Sequence, residues 1–191
     1  AERLAAQAFG ADQTFFLING TTVGVIAMLL VSTCPGDKVI LQRNSHRSAL
    51  AGIIMGNLKP IYIQPEFDKR LNILTSITPS SLEKAIRENP DAKVFLLTSP
   101  NYYGICSELP SLVEIAKKYN LIVLVDEAHG VHFPFHPLFP PSAVSLKADL
   151  VAQSAHKTLP ALTQSSYLHL NKGKIDPIRL RSILTILESS S

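Results

Sequence analysis

The sequence predicts an α/β fold, a mostly parallel sheet with helices on both faces. Two observations carry this. Short β-branched or leucine-rich runs recur along the chain and stop in polar clusters, as buried parallel strands do at their carboxyl ends. Between them lie helical segments of about ten or more residues, the length a parallel crossover requires.

Residues 2–9 open with an apparent helix, apolar at Leu4, Ala5, Ala8 and Phe9. FFLI (15–18) reads as a strand, and TTVGVIAMLLVST (21–33) as an apolar helix directly after Asn19-Gly20. Pro35-Gly36-Asp37 makes a turn before the strand KVILQ (38–42), and SALAGIIMGN (48–57) is helical. PIYIQP (60–65) is a short strand between prolines. TPSSLEKAIREN (78–89) carries the clearest helix signal: Thr78 or Ser80 can cap it, with Glu83 expected in the first turn. KVFLLTS (93–99) is a strand and LPSLVEIAKKYN (109–120) an amphipathic helix. LIVLVDEAH, DLVAQSAH and SSYLHL (165–170) follow as strands, then a helix near Asp176–Glu188. The Phe/Pro-rich stretch HFPFHPLFPP (132–141) is expected to be an irregular loop whose aromatics pack against something.

At 191 residues the chain is long enough for one large domain with a substantial core. Charged residues make up only 17%, against about 25% in ordinary soluble domains. So low a fraction implies that a partner subunit or further segments cover much of the surface. The net charge of +3 is spread out, which gives nucleic-acid or membrane-surface binding little support. Cys34 and Cys106 have neither metal-ligand nor disulfide-framework spacing and read as free thiols. The apolar stretch 23–31 is too short to span a membrane, and residues 1–10 lack signal-peptide character, so a cytoplasmic location is expected. Both ends look abrupt, the second in Ser189-Ser190-Ser191, as in a fragment of a longer polypeptide.

The polar residues that stand out lie at strand ends, where ligands of such sheets bind. Asp126 ends an all-apolar strand, and Lys157 follows 31 positions later beyond another. Asp126 can cap the next helix or serve as a carboxylate in a dry site. Lys157 is flanked by Ala155, Leu159, Ala161 and Leu162, which predicts a desolvated, nucleophilic amine; a snorkelling structural lysine is the alternative. A carboxylate and an amine so placed suit pyridoxal 5'-phosphate, where lysine forms the Schiff base and the carboxylate keeps the pyridine nitrogen protonated.

Supporting signals surround the pair. NGTT (19–22) turns from strand into helix, and the unpaired amides there, with Thr21 and Thr22, suit a phosphate or simply cap the helix. Ser154 can add a donor, with His156 beside it. His46, in NSHRS, could stack on a planar cofactor; His129 could reach a ring hydroxyl or cap its loop. TSPNYYG (98–104) could line the same crevice through Ser99, Asn101 or Tyr102. No histidine–cysteine cluster has metal spacing, and neither GxSxG nor GxxxxGK[ST] occurs.

With these motifs assembled, the chain resembles the large domain of fold-type I pyridoxal-phosphate enzymes, and more closely the ornithine/lysine/arginine decarboxylase family. FFLINGTT, PGDKVILQRNSHRSAL, LLTSPNYYGI, VLVDEAHG and AQSAHKTLPALTQSSYLHL carry the likeness over essentially all 191 residues. The resemblance implies an aspartate-aminotransferase-like large domain over 1–191, with an N-terminal segment and a C-terminal small domain absent. It implies Lys157 as the Schiff-base lysine, Asp126 as the pyridinium partner and His46 as the ring-stacking, catalytically assisting histidine. It further places Ala128 on the opposite ring face, His129 near the ring hydroxyl, and Thr21, Thr22, Ser154 and His156 around the phosphate. The implied activity is decarboxylation of arginine, lysine or ornithine to a polyamine precursor, in a homodimer or higher homo-oligomer with shared active sites. The alternatives are another fold-type I enzyme, such as an aminotransferase, or an inactive truncated chain.

Overall fold

A computed structural model describes residues 1–188; the serine run 189–191 lies outside the described residues. The elements follow the predicted alternation. They are α1 (Glu2–Phe9), β1 (Gln13–Leu17), α2 (Gly20–Ser32), β2 (Lys38–Gln42), α3 (Arg47–Met55) and β3 (Lys59–Ile63). Next come β4 (Phe67–Asp68), β5 (Ile73–Leu74), α4 (Pro79–Glu88), β6 (Ala92–Thr98), α5 (Leu109–Lys118) and β7 (Ile122–Asp126). A 3-10 turn (Phe133–Phe135), β8 (Leu150–Ser154), α6 (Ala155–Thr158), β9 (Ser166–Leu170) and α7 (Pro177–Leu187) complete the chain.

Seven strands form one sheet in the order β1-β9-β8-β7-β6-β2-β3. The pairings from β8 through β3 are parallel, whereas β9 runs antiparallel to both β8 and β1. The sheet is therefore mixed and mostly parallel. Each face buries a core. On one side Leu124, Leu150, Ala152 and Leu168 pack with residues of α2, α3 and α7, including Met28, Ile53 and Leu180. On the other, Val123, Val125 and Val151 pack with Leu82 of α4 and Leu112 of α5. Period-2 alternation along the central strands divides their side chains between these cores.

Helix α2 is buried around most of its circumference, because it packs against α3, α7 and the sheet at once. Gly24 makes that approach possible: a Cβ there would lie 2.8 Å from Leu17 Cδ1 and 3.4 Å from Ala152 Cβ. The close seat brings the amino end of α2 to the carboxyl edge of the sheet. Gly20, the first helical residue, takes φ +77°, a conformation glycine adopts without strain.

Three local expectations are corrected. Helix α4 is capped by Thr78 in a box with Ser81, and no acidic residue occupies its first turn; Glu83 lies farther along and pairs with Arg87. Residues 155 and 156, expected to continue the strand DLVAQSAH, instead begin the short helix α6, which carries Lys157. A small hairpin, β4–β5, occupies the stretch between β3 and α4, where no strand was expected. The Phe/Pro-rich loop carries the 3-10 turn, and its Phe133 and Phe139 stack on each other 5.8 Å apart.

Candidate active site

The carboxyl ends of β1, β2, β6, β7 and β8 open onto one cavity of ≈ 340 Å³, within the range usual for small-molecule sites. The nine residues to which the resemblance gives cofactor roles line it: Thr21 and Thr22 at the start of α2, His46 before α3, Asp126 ending β7 with Ala128 and His129 after it, and Ser154 ending β8 with His156 and Lys157 after it.

One end of the cavity is rich in hydroxyls. Thr21 Oγ1 is hydrogen-bonded to Ser154 Oγ and, at 2.9 Å, to Ser166 Oγ. Ser166 was missed in the sequence. It reaches this edge because β9 is antiparallel, so its amino end meets the carboxyl ends of its neighbours. Glu188 Oε2 accepts from the Ile18 and Asn19 amides at 3.2 and 3.1 Å, fixing the turn before α2. The first amides of α2 lie at the cavity, the positive end of a 13-residue helix dipole free of acidic first-turn residues.

Asp126 lines the same cavity. It is 4% exposed, and its Oδ1 accepts from the Ala128 amide at 3.2 Å. Burial pushes its carboxyl up to about 6, opposed by the Ala128 amide and by the charge of Lys157. A buried carboxylate facing a cavity fits a cationic partner. Lys157 is exposed toward solvent, contrary to the expectation of a desolvated amine: Ala155 is buried, but Ala161 and Leu162 stand in an exposed loop, Leu162 at 85%. Its Nζ lies 3.1 Å from His129 Nε2. Burial, then the Lys157 charge, lowers the pKa of His129; the same causes in the same order act on His46. His46 caps α3, its Nδ1 accepting from the Ser48 amide at 3.2 Å, which fixes the ring at the cavity wall. His156 bonds the Ser165 carbonyl through Nδ1 at 3.0 Å.

Of the residues expected from the loop 98–104, Tyr102 lines the cavity. Ser99 and Asn101 do not; they are buried within the loop, where Asn101 Oδ1 accepts from the Tyr103 and Ile105 amides. Asn19, Asn44, Arg47 and Thr98 also line the cavity and were not anticipated. Asn44 Oδ1 is buried without a hydrogen-bond partner among the described residues. These groups together fit pyridoxal phosphate: hydroxyls and helix amides for an anion, a buried carboxylate for a ring cation, and an amine in the same cavity.

Residues 1–191 match the family model described as Orn/Lys/Arg decarboxylase, major domain. The chain belongs to this family. An arginine decarboxylase of Bacillus subtilis is 44% identical over 191 residues, covering all of this chain and 39% of that protein. One from Bacillus cereus is 45% identical over 192 residues, covering all of this chain and 42% of that protein. The chain thus spans about two fifths of the length of these relatives. The lysine decarboxylase LdcF of Francisella novicida superposes with a TM-score of 0.88 at 23% identity, over 98% of this chain and 28% of that one. That likeness concerns the fold, which is the α/β class of fold-type I enzymes. The family comprises pyridoxal-phosphate-dependent decarboxylases of basic amino acids. No helix among the described residues is long and apolar enough to cross a membrane.

Proposed function

We propose that this chain is the cofactor-binding large domain of a longer, homo-oligomeric decarboxylase acting on a basic amino acid, arginine first. The observation that carries the reading is the single cavity in which buried Asp126, the Lys157 amine and the hydroxyl-lined start of α2 meet. The names of the relatives at 44 and 45% identity favour arginine over lysine or ornithine.

Pyridoxal phosphate, when bound, supplies the electron sink that accepts the electron pair left at the α-carbon as carbon dioxide departs. The chain's residues divide the remaining work. Thr21, Thr22, Ser154, His156 and the α2 amides would hold the phosphate. Asp126 would keep a proton on the ring nitrogen, since an adjacent cation relieves its burial penalty. Lys157 would attach the aldehyde, with neutral His129 as an acceptor for its ammonium proton. His46 and Ala128 would bound the two ring faces. Apart from Asp126 no carboxylate lines the cavity among the described residues. Recognition of the substrate's distal cation therefore falls to groups outside this lining.

The test is to supply the full-length protein with pyridoxal phosphate and arginine, lysine or ornithine, and to measure carbon dioxide and the amine product. Agmatine from arginine is expected. A keto acid without carbon dioxide would favour an aminotransferase, and no carbon dioxide from any of the three would overturn the decarboxylase reading.

A further inference from the structure

Behind the sheet from the cavity, a second polar feature lies wholly inside the protein. Asp126 and Glu127 are adjacent, yet period-2 geometry sends them to opposite faces: Asp126 toward the cavity, Glu127 toward the core beneath α4 and α5. Glu127 has no exposed surface. Its Oε2 accepts from Ser142 Oγ at 2.7 Å and Gln153 Nε2 at 2.6 Å, and its Oε1 accepts from the Ala143 amide at 2.8 Å. Gln153 Oε1 then meets His169 Nε2 at 2.9 Å, and His169 Nδ1 meets Thr14 Oγ1 at 2.8 Å. Glu127, Gln153, His169 and Thr14 thus form one hydrogen-bonded row across β7, β8, β9 and β1. Gln153 and His169 are fully buried, and Thr14 is nearly so.

The row has a direction. Gln153 donates to the carboxylate, so its carbonyl oxygen must accept from His169 Nε2–H, which leaves Nδ1 to accept from the Thr14 hydroxyl. A buried polar network is rigid when every member is satisfied, and these members are. The backbone at Glu127 is held as well: its amide donates to the Ala152 carbonyl and its carbonyl accepts from Gly130, both at 2.9 Å. Gly130 leaves room for the side chain, since a Cβ there would lie 2.7 Å from Glu127 Cγ.

We propose that Glu127 is a positioning residue: its carboxylate, anchored behind the sheet by Ser142, Ala143 and Gln153, fixes the carboxyl end of β7 and so the placement of Asp126, Ala128 and His129 in the cavity. It touches neither cofactor nor substrate. The inference rests on the cofactor reading above. It makes a distinction between Glu127→Gln and Glu127→Ala. With glutamine, the amide oxygen stays on the Ala143 N–H, the Gln153 amide and Ser142 hydroxyl turn over, His169 takes its other tautomer, and every bond in the row is remade in reverse. With alanine the anchor is gone.

The experiment uses full-length protein loaded with pyridoxal phosphate, with folding of each variant checked by circular dichroism. The pH titration of the cofactor's visible band is read for wild type, Glu127→Gln, Glu127→Ala and Ser142→Ala. Glu127→Ala is expected to move the midpoint by about one pH unit, a tenfold change in proton affinity. Ser142→Ala should move it less and in the same direction, while Glu127→Gln stays near wild type. In the cofactor-free protein, the Ala128 and Gly130 amides should exchange about tenfold faster in Glu127→Ala. If Glu127→Ala does not fold, a Ser142→Ala band identical to wild type overturns the proposal. A folded Glu127→Ala with an unmoved band and unchanged exchange also overturns it. Absence of decarboxylation with the band present instead overturns the decarboxylase reading and leaves this one standing. If no band forms even in wild type, the exchange rates decide.

Discussion

Lys157 Nζ lies 3.1 Å from His129 Nε2, so an amine and an imidazole held by two different strand ends share a hydrogen bond. Burial and the lysine charge both disfavour the imidazolium. His129 is therefore neutral at pH 7 and able to accept from the ammonium. His129→Phe should slow attachment of the cofactor to Lys157 by about ten- to a hundredfold, the scale on which mispositioning acts. The rate of appearance of the visible band after pyridoxal phosphate is added to cofactor-free protein measures this. In the wild type, that rate should fall in acid only once the pH has dropped below the ordinary histidine value of 6.5.

Asp126 holds a charge in a place that stabilises the site at the expense of the empty protein. Its pKa is raised in the folded state, from 3.8 to about 6. Below 3.8 both folded and unfolded chains carry it neutral. As pH rises the unfolded chain ionises first, so folding stability is lost until the pH passes about 6. Asp126→Asn keeps the acceptor for the Ala128 amide and removes the charge. In the cofactor-free full-length protein it should add on the order of 2 kcal/mol at pH 8 and nothing at pH 3.5. The same variant should lose nearly all decarboxylation. Urea melts at both pH values, with and without cofactor, check the sign.

Gly24 tests whether the seat of α2 sets the anion end of the cavity. Its absent Cβ leaves room for Leu17 and Ala152. Gly24→Val should cost about 1–3 kcal/mol through overpacking and weaken pyridoxal phosphate binding about tenfold by lifting the first amides of α2. Thermal denaturation and a fluorescence titration of the cofactor report the two effects separately.

The buried row gives opposite pH responses at its two ends. Burial raises Glu127 from 4.5 to about 7 and lowers His169 from 6.5 to about 3. Glu127 therefore withdraws stability as pH climbs from 4.5 through 7. His169 withdraws it as pH falls from 6.5 toward 3, because the unfolded chain then takes up a proton the folded one refuses. Glu127→Gln should flatten the alkaline side of the stability profile. His169→Phe, though less stable at pH 7 for its lost bonds to Gln153 and Thr14, should flatten the acid side. Denaturant midpoints from pH 4 to 8 in cofactor-free full-length protein distinguish them.

The alternation of strands and helices was legible because nearly every element is periodic and bounded by Gly, Pro or Asn. KVILQ falls on β2 residue for residue. The cavity was legible because five strands run the same way and four of them, β2, β6, β7 and β8, end in a polar residue, so positions remote in sequence share an edge. The apolar neighbours of Lys157 predict burial, but only Ala155 is fully buried; Ala161 and Leu162 stand in an exposed loop, where apolar composition is not burial. Hairpin β4–β5 was missed because two-residue strands carry no period. Glu127 was hidden by its neighbour. Its partners Ser142, Ala143 and Gln153 lie 15 to 26 positions away, and the row ends at Thr14, so no local spacing connects them. The signal that could have found the row is a single polar residue inside each of the runs QTFFL, LVAQS and SYLHL, on the face opposite their site-facing neighbours.

The antiparallel strand β9 has a consequence for how the chain reaches this structure. Strand β1 pairs with β9 alone, Gln13 opposite Leu170, so the first strand finds its partner only across most of the sequence. Loop closure over such a span is slow compared with the local β6–β7–β8 pairings. During synthesis the carboxyl edge that bears Asp126 and Lys157 can form from residues 92–158, while the turn at Asn19-Gly20 waits for Ser166–Leu170 to emerge and dock. On that order the acid and the amine are in place before the hydroxyl-rich end of the cavity. The hydroxyl-rich end of the cavity is therefore completed only when β1 closes against β9.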